Sequence, residues 1–186
     1  MTGVLGGTFD PPHNGHVALA RAALQKLPIA RLLVLVAVRP GHRPVVADAD
    51  ARLRLARAAF AGIPAEVELD DNAFTFDAVR GGHFGDALFV VGGDEGADFP
   101  SWKEPDEVLR WVRLAVGTRS GYPPADLERY GDRVVPFELA SPSISSSDVR
   151  DRVARGEPID DLVPPAVAEA IRDLGLYRGY TDRDSD

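Results

Sequence analysis

The stretch Leu32-Leu33-Val34-Leu35-Val36-Ala37-Val38 contains no polar side chain. A strand with one wet face alternates apolar and polar residues, so an unbroken run of this kind needs cover on both faces. Apolar, β-branched runs predict strands at Gly3 to Gly6, Arg31 to Val38, Ala65 to Leu69, Ala87 to Val91, Val112 to Gly117 and Val134 to Phe137. Between them, apolar residues at helical spacing predict helices at Gly15 to Leu27, Ala49 to Ala61, Phe76 to Gly81 and Pro105 to Leu109. Strands that alternate with helices imply an α/β fold, a parallel sheet with right-handed crossovers and flanking helices. The C-terminal part is helical. Ser145-Ser146-Ser147 caps a helix from Asp148 to Arg155 that Gly156 ends, and Pro164-Pro165 starts a last helix, Ala166 to Leu174, closed by Gly175. A single domain is expected over residues 1–178, with a short polar, disordered tail over 179–186.

Composition narrows the function classes. The chain has 186 residues, 45% hydrophobic and 27% charged, which suits one globular domain with a substantial core. Net charge is −8, from 21 basic and 29 acidic residues, which argues against nucleic-acid or membrane-surface binding. Local basic residues can still build a pocket for a small anion. There is no cysteine, so disulfides are impossible. No signal peptide precedes the first strand and no apolar run is long enough to span a bilayer, so a cytoplasmic enzyme is expected. The sequence does not give an oligomeric state.

The chemistry concentrates in Gly6-Gly7-Thr8-Phe9-Asp10-Pro11-Pro12-His13-Asn14-Gly15-His16. A strand runs into two glycines, then two histidines, then a helix. Glycines let a ligand approach the backbone, and a helix N-terminus offers N–H groups and partial positive charge to phosphate. Two histidines at this spacing could bind a metal, but no third ligand is evident nearby. The stretch is neither the dinucleotide fingerprint nor a Walker loop. It resembles the signature G-G-S/T-F-D-P-x-H-x-G-H of the nucleotidyltransferase superfamily, and especially of the nicotinate-mononucleotide adenylyltransferases, at every fixed position.

Further segments extend the resemblance to about Tyr177. Ile144-Ser145-Ser146-Ser147-Asp148-Val149-Arg150 would by itself be a serine-rich helix cap, and it resembles the superfamily's I-S-S-S/T-x-I/V-R/K motif. Arginine at position 150 is what the pyridine-nucleotide branches usually show, where the phosphopantetheine branch has lysine. Gly92-Gly93-Asp94 and the downstream Phe99-Pro100-Ser101-Trp102-Lys103 resemble the family's G-x-D segment and the tryptophan that stacks on the pyridine ring. Trp102 lies among polar residues, so an exposed indole is expected. Ala73-Phe74-Thr75-Phe76-Asp77-Ala78-Val79 resembles S-Y-T-x-D/Q-T-L, which borders the pyridine carboxylate, with Ala73 and Phe74 lacking the two hydroxyls. Arg39-Pro40-Gly41-His42-Arg43-Pro44 is similar to the P-P-H-K/R loop that holds the mononucleotide phosphate, with Gly41 in place of the second proline. Thr118-Arg119-Ser120-Gly121-Tyr122 resembles x-R-P-G-Y, and His83 carries no motif and reads as a surface residue.

The resemblance implies a Rossmann-like parallel sheet and a nucleotidyltransferase domain that moves AMP from ATP to nicotinate mononucleotide, releasing pyrophosphate. It makes His13, His16 and Arg150 catalytic. Gly6, Gly7, Thr8, Phe9, His16, Gly92, Asp94, Ile144, Ser145, Ser146, Ser147 and Arg150 would bind ATP, and His42, Arg43, Phe74, Thr75, Trp102 and Arg119 the acceptor. Mg²⁺ would enter mainly through the ATP phosphates, with no protein metal site. The partners implied are ATP and a mononucleotide, with no nucleic acid and no membrane. Two alternatives stay open: the same reaction with another phosphorylated acceptor, and a non-catalytic nucleotide-binding homologue.

Overall fold

The computed structural model describes residues 1–41, 44–119 and 127–180. Its centre is a six-stranded sheet with every neighbouring pair parallel, built from β1 (Thr2–Gly7), β2 (Arg31–Ala37), β3 (Ala65–Asp70), β4 (Ala87–Gly92), β5 (Arg113–Arg119) and β6 (Val134–Leu139). The order is β3-β2-β1-β4-β5-β6. This is the doubly wound order of a Rossmann-like sheet, and the winding reverses between β1 and β4. The predicted strands all occur, most of them extended by a residue or two.

The apolar run in β2 divides its side chains between two cores. Leu32, Val34 and Val36 join one core with Leu5, Leu55, Phe60, Leu88 and Ile171. Leu35 joins the other with Val4, Phe89, Phe99, Val108 and Val116. Helices α1 (Asn14–Lys26), α2 (Ala49–Phe60) and α7 (Pro165–Leu174) supply the first layer. The second receives α3 (Thr75–Val79) and α5 (Pro105–Trp111). On the edge strand β3 the exposed positions Glu66 and Glu68 keep charge on the open side.

Two differences from the sequence reading concern the segment after β4. Gly93–Asp98 forms a short helix, α4, and Phe99–Ser101 a 3₁₀ turn, where only a loop was expected. Two glycines in six residues give no helical signal, but Asp94 and Glu95 sit in the first turn, where acidic residues complement the helix dipole. The C-terminal helices are α6 (Ser146–Ala154) and α7, both close to expectation. Of the expected tail, Gly179 and Tyr180 are described, with Tyr180 packed on Arg150. Residues 181–186 lie outside the described residues.

Arg52 of α2 anchors the end of the sheet where β1 and β2 finish. It is one of the most buried side chains, at 1% exposure. Its guanidinium donates to the carbonyls of Ala47 at 3.0 Å, Thr8 at 2.9 Å, Ala37 at 2.6 Å and Val38 at 3.1 Å. Buried Asp10 supplies the favourable charge, and its carboxylate accepts the N–H groups of Val46 and Ala47 and the hydroxyl of Tyr177 at 2.8 Å. Burial and the adjacent carboxylate push the Tyr177 hydroxyl far up, so it remains a donor.

Removing the guanidinium would strand four carbonyls and take away a positive charge that acts on Asp10. We therefore expect Arg52→Met to cost about 3–5 kcal/mol, the scale of losing several buried hydrogen bonds from a charged donor. Arg52→Lys should recover little, because an ammonium cannot span this fork. Urea unfolding monitored by Trp fluorescence gives the test; a loss under about 1 kcal/mol for Arg52→Met contradicts the anchoring role.

Candidate active site

A cavity of about 1030 Å³ opens at the carboxyl ends of β1 and β4. That is the topological switch point, where sheets of this kind bind ligands. Its size is at the upper end of the roughly 300–1,000 Å³ found for small-molecule sites, enough for more than one nucleotide-sized fragment.

The β1 loop and the start of α1 form one wall. His13 is the N-cap of α1, and its Nδ1 accepts the N–H of Gly15 at 3.2 Å. His16, one turn on, accepts the His13 N–H at its own Nδ1, also at 3.2 Å. The pair is a capping box made of two imidazoles, with ring centroids 3.9 Å apart. A Cβ on residue 15 would lie 2.9 Å from the His13 ring, so only glycine permits the cap. Because each Nδ1 is an acceptor, each neutral ring carries its proton on Nε2. Burial lowers the His13 pKa from 6.5 to about 4, against the opposing charge of Asp148, so this ring is neutral at pH 7.

The cap corrects one expectation. The N–H groups at the start of α1 are engaged: Asn14 donates to Leu162 at 2.8 Å, Gly15 to His13, and His16 to the His13 carbonyl at 3.0 Å. The two imidazoles are what this helix start presents to the cavity.

The start of α6 forms the facing wall. Ser145 caps it, with its hydroxyl and N–H both bonded to Asp148, whose carboxyl is held below the usual range by those bonds. Ser146 donates its hydroxyl to the Pro11 carbonyl at 2.8 Å, and Ser147 accepts from Arg150 at 3.0 Å. The serine hydroxyls are thus committed to structure, while helix geometry leaves the N–H groups of Ser146 and Ser147 without intrahelical acceptors. Arg150 donates to the Asp10 carbonyl at 2.8 Å and stacks on Tyr180, 5.0 Å from its ring centre. Its Nε is buried with no partner.

Most of the expected residues share this cavity: Gly6, Gly7, Thr8, His13, His16, Gly92, Asp94, Ile144, Ser145, Ser146, Ser147 and Arg150, with Phe74, Thr75 and Trp102 from the acceptor set. Phe9 does not line it. Its ring is buried at 1% exposure beneath His16, 5.2 Å away, with backbone φ of 50°. Trp102 is half-buried rather than fully exposed, packed edge-on against Phe89 and Phe99 while still facing the cavity. His83 is exposed, as expected. His42 and Arg43 lie outside the described residues, and Arg119 is described only as the end of β5. Sequence reasoning missed Asp10, Arg52 and Tyr177 as the support of this wall. Asp10 stood inside the motif, but nothing local marks Tyr177 or Arg52.

Comparisons with known proteins agree with this architecture. Residues 4–152 match the family described as cytidylyltransferase-like. A Bordetella petrii protein named a probable nicotinate-nucleotide adenylyltransferase is 36% identical, across 95% of this chain and 98% of its own. A Thermus thermophilus protein of the same name is 35% identical, again over 95% and 98%. The solved structure of Plasmodium falciparum nicotinic acid mononucleotide adenylyltransferase complexed with NaAD shares the fold, with a TM-score of 0.79 and 17% identity, covering 95% of this chain and 96% of that one.

The neutral His13 predicts a pH dependence of stability. Its folded pKa lies below its unfolded value, so the unfolded state takes up the proton first. Stability contributed by the neutral ring is complete above pH 6.5 and is lost as pH falls toward about 4. His13→Gln should therefore show a shallower fall in Tm across that window than the parent. Identical slopes in the two proteins contradict a buried neutral His13.

Proposed function

The chain belongs to the cytidylyltransferase-like family and, within it, to the nicotinate-nucleotide adenylyltransferases; from that premise we propose that it transfers AMP from ATP to nicotinate mononucleotide, giving the dinucleotide and pyrophosphate. The observation that carries the reading is the meeting of two imidazole Nε2 donors with the α6 start and Arg150 around one cavity at the β1/β4 switch point. Fixed donors of this kind suit a polyphosphate whose charge shifts during reaction.

In this reading an oxygen of the acceptor phosphate attacks the α-phosphorus of ATP, and the bond from that phosphorus to the bridging oxygen breaks. The acceptor is already an anion, so no strong base is needed. The chain's contribution is in-line positioning and charge stabilisation. His13 and His16 donate from Nε2 to phosphate oxygens, the first N–H groups of α6 face the same anion, and Arg150 meets the charge that develops on pyrophosphate. Thr75 and Trp102 border the acceptor. His42, Arg43 and Arg119 complete its site by the family resemblance.

The donors present fit Mg²⁺ carried in on the triphosphate. Among the described residues no group of three or more His, Asp or Glu side chains is arranged to hold an ion. Mg²⁺ characteristically binds substrate phosphates and water rather than an all-protein cage. The residues holding it would be those that hold the phosphates, and when bound it neutralises phosphate charge. We assign the activity to the cytoplasm, where ATP is supplied; no helix among the described residues is long and apolar enough to cross a membrane.

The direct test is pyrophosphate release from ATP across a panel of phosphorylated acceptors. Nicotinate mononucleotide should support turnover and phosphopantetheine should not; the reverse outcome removes the acceptor assignment. His16→Ala should lower kcat by about 10² or more, as for loss of one transition-state donor. Near-parental turnover in a folded His16→Ala protein takes this residue out of the mechanism.

A further inference from the structure

Among the described residues that line the cavity, only Arg150 and Lys103 carry a fixed positive charge. Arg150 is tied to the β1 loop through the Asp10 carbonyl. Lys103 sits elsewhere, directly after Trp102, and its ammonium lies 5.0 Å from the ring centre of Phe74 and 5.3 Å from that of Phe76. Both distances are within cation–π range. Asp77 of α3 accepts from it at 2.8 Å. A flexible lysine is thus held by two rings and a carboxylate against the aromatic part of the cavity. The remaining charged residues lining the cavity, among them Asp70, Asp94, Glu95 and Asp98, are acidic.

The ring that carries the lysine has its own support. The Gly41 N–H donates to the Ala73 carbonyl at 3.0 Å, and a Cβ on residue 41 would lie 2.5 Å from the Phe74 ring. Glycine at 41 therefore makes room for the phenyl group at 74, and that phenyl group carries the ammonium.

We propose that Lys103 is a specificity-determining residue: its ammonium selects an acceptor whose flat ring bears a carboxylate over one whose ring bears a neutral carboxamide. The proposal rests on the acceptor reading above and deepens it. A ring stacked beside Trp102 brings its substituent among Phe74, Thr75 and Lys103. A carboxylate there meets the Lys103 ammonium, the cation that the described residues place beside Phe74 and Phe76, whereas a carboxamide gains no charge attraction. Asp77 and the two rings already hold the ammonium at this place, so little ordering is needed when the ligand arrives.

The test compares two acceptors that differ in that group alone, nicotinate mononucleotide and nicotinamide mononucleotide, in Lys103→Met, Lys103→Arg and the parent. Main-chain groups at 103 are kept in each. The ratio of kcat/KM for acid over amide should fall about tenfold or more in Lys103→Met, the scale of losing one charge-assisted contact, and recover largely in Lys103→Arg. The KM for ATP should move little. A ratio unchanged in Lys103→Met overturns the proposal, whether both acceptors weaken together or neither does. If the parent uses neither pyridine mononucleotide, the acceptor reading itself fails, and the inference with it.

Discussion

The site depends on a buried hydrogen-bond network built around Arg52 and Asp10. The four carbonyls that Arg52 gathers belong to the β1 loop, the end of β2 and the approach to α2. Asp10 completes the knot with its carboxylate toward Val46, Ala47 and Tyr177 and its carbonyl toward Arg150. Burying a full charge is costly, and it is tolerated here because nearly every donor finds a carbonyl. The return is rigidity where it matters chemically. The loop that ends in His13 cannot shift without breaking this network, and the α6 start is fastened to the same loop by Ser146 on Pro11 and Arg150 on Asp10. Two walls of the cavity far apart in sequence are thereby tied together.

An acidic protein that handles polyanions meets an electrostatic problem, and this structure meets it locally. Net charge is −8. Beside Arg150 and Lys103, the cavity offers donors that carry no net charge: the His13 imidazole, kept neutral by burial, and amides at a helix start. Such donors stabilise developing negative charge without binding every anion tightly beforehand, which is the condition for lowering a barrier rather than deepening a ground state.

Much of this was legible in the chain. The strands were, because a run such as Leu32 to Val38 is short, rich in β-branched residues and apolar on both faces, which favours a strand covered on each side. The start of α6 was, because serine caps have local chemistry; the start of α1 was legible from apolar periodicity, and its His13 cap was not. What escaped was long-range. Whether a serine hydroxyl at 145 or 146 faces ligand or structure is decided by partners at Asp148 and Pro11, and only the fold brings the second of these close. Phe9 reads as a ligand contact in the sequence because it stands inside the motif. Its ring instead fills the core between His16 and Phe60, so the motif fixes that residue for packing. Helix α4 was missed because its support is tertiary: Gly96 is buried, and β5 packs on the helix.

The departures from the family pattern near the acceptor look separate in sequence and are joined in space. Gly41 for proline, Phe74 for tyrosine and Ala73 for serine read as scattered losses of shape and hydroxyl. In the folded chain Gly41 and Ala73 share a backbone hydrogen bond, and the Phe74 ring occupies the volume a side chain at 41 would need. Restoring proline at 41 alone would drive its ring into Phe74, since even a bare Cβ there would approach to 2.5 Å. Restoring tyrosine at 74 alone would bring a polar group to a ring end already in contact with Gly41. The substitutions are therefore one packing solution, and its outward product is the aromatic surface on which Lys103 rests. A pocket wall that gave up hydroxyls has kept the means to attract an anion by another route.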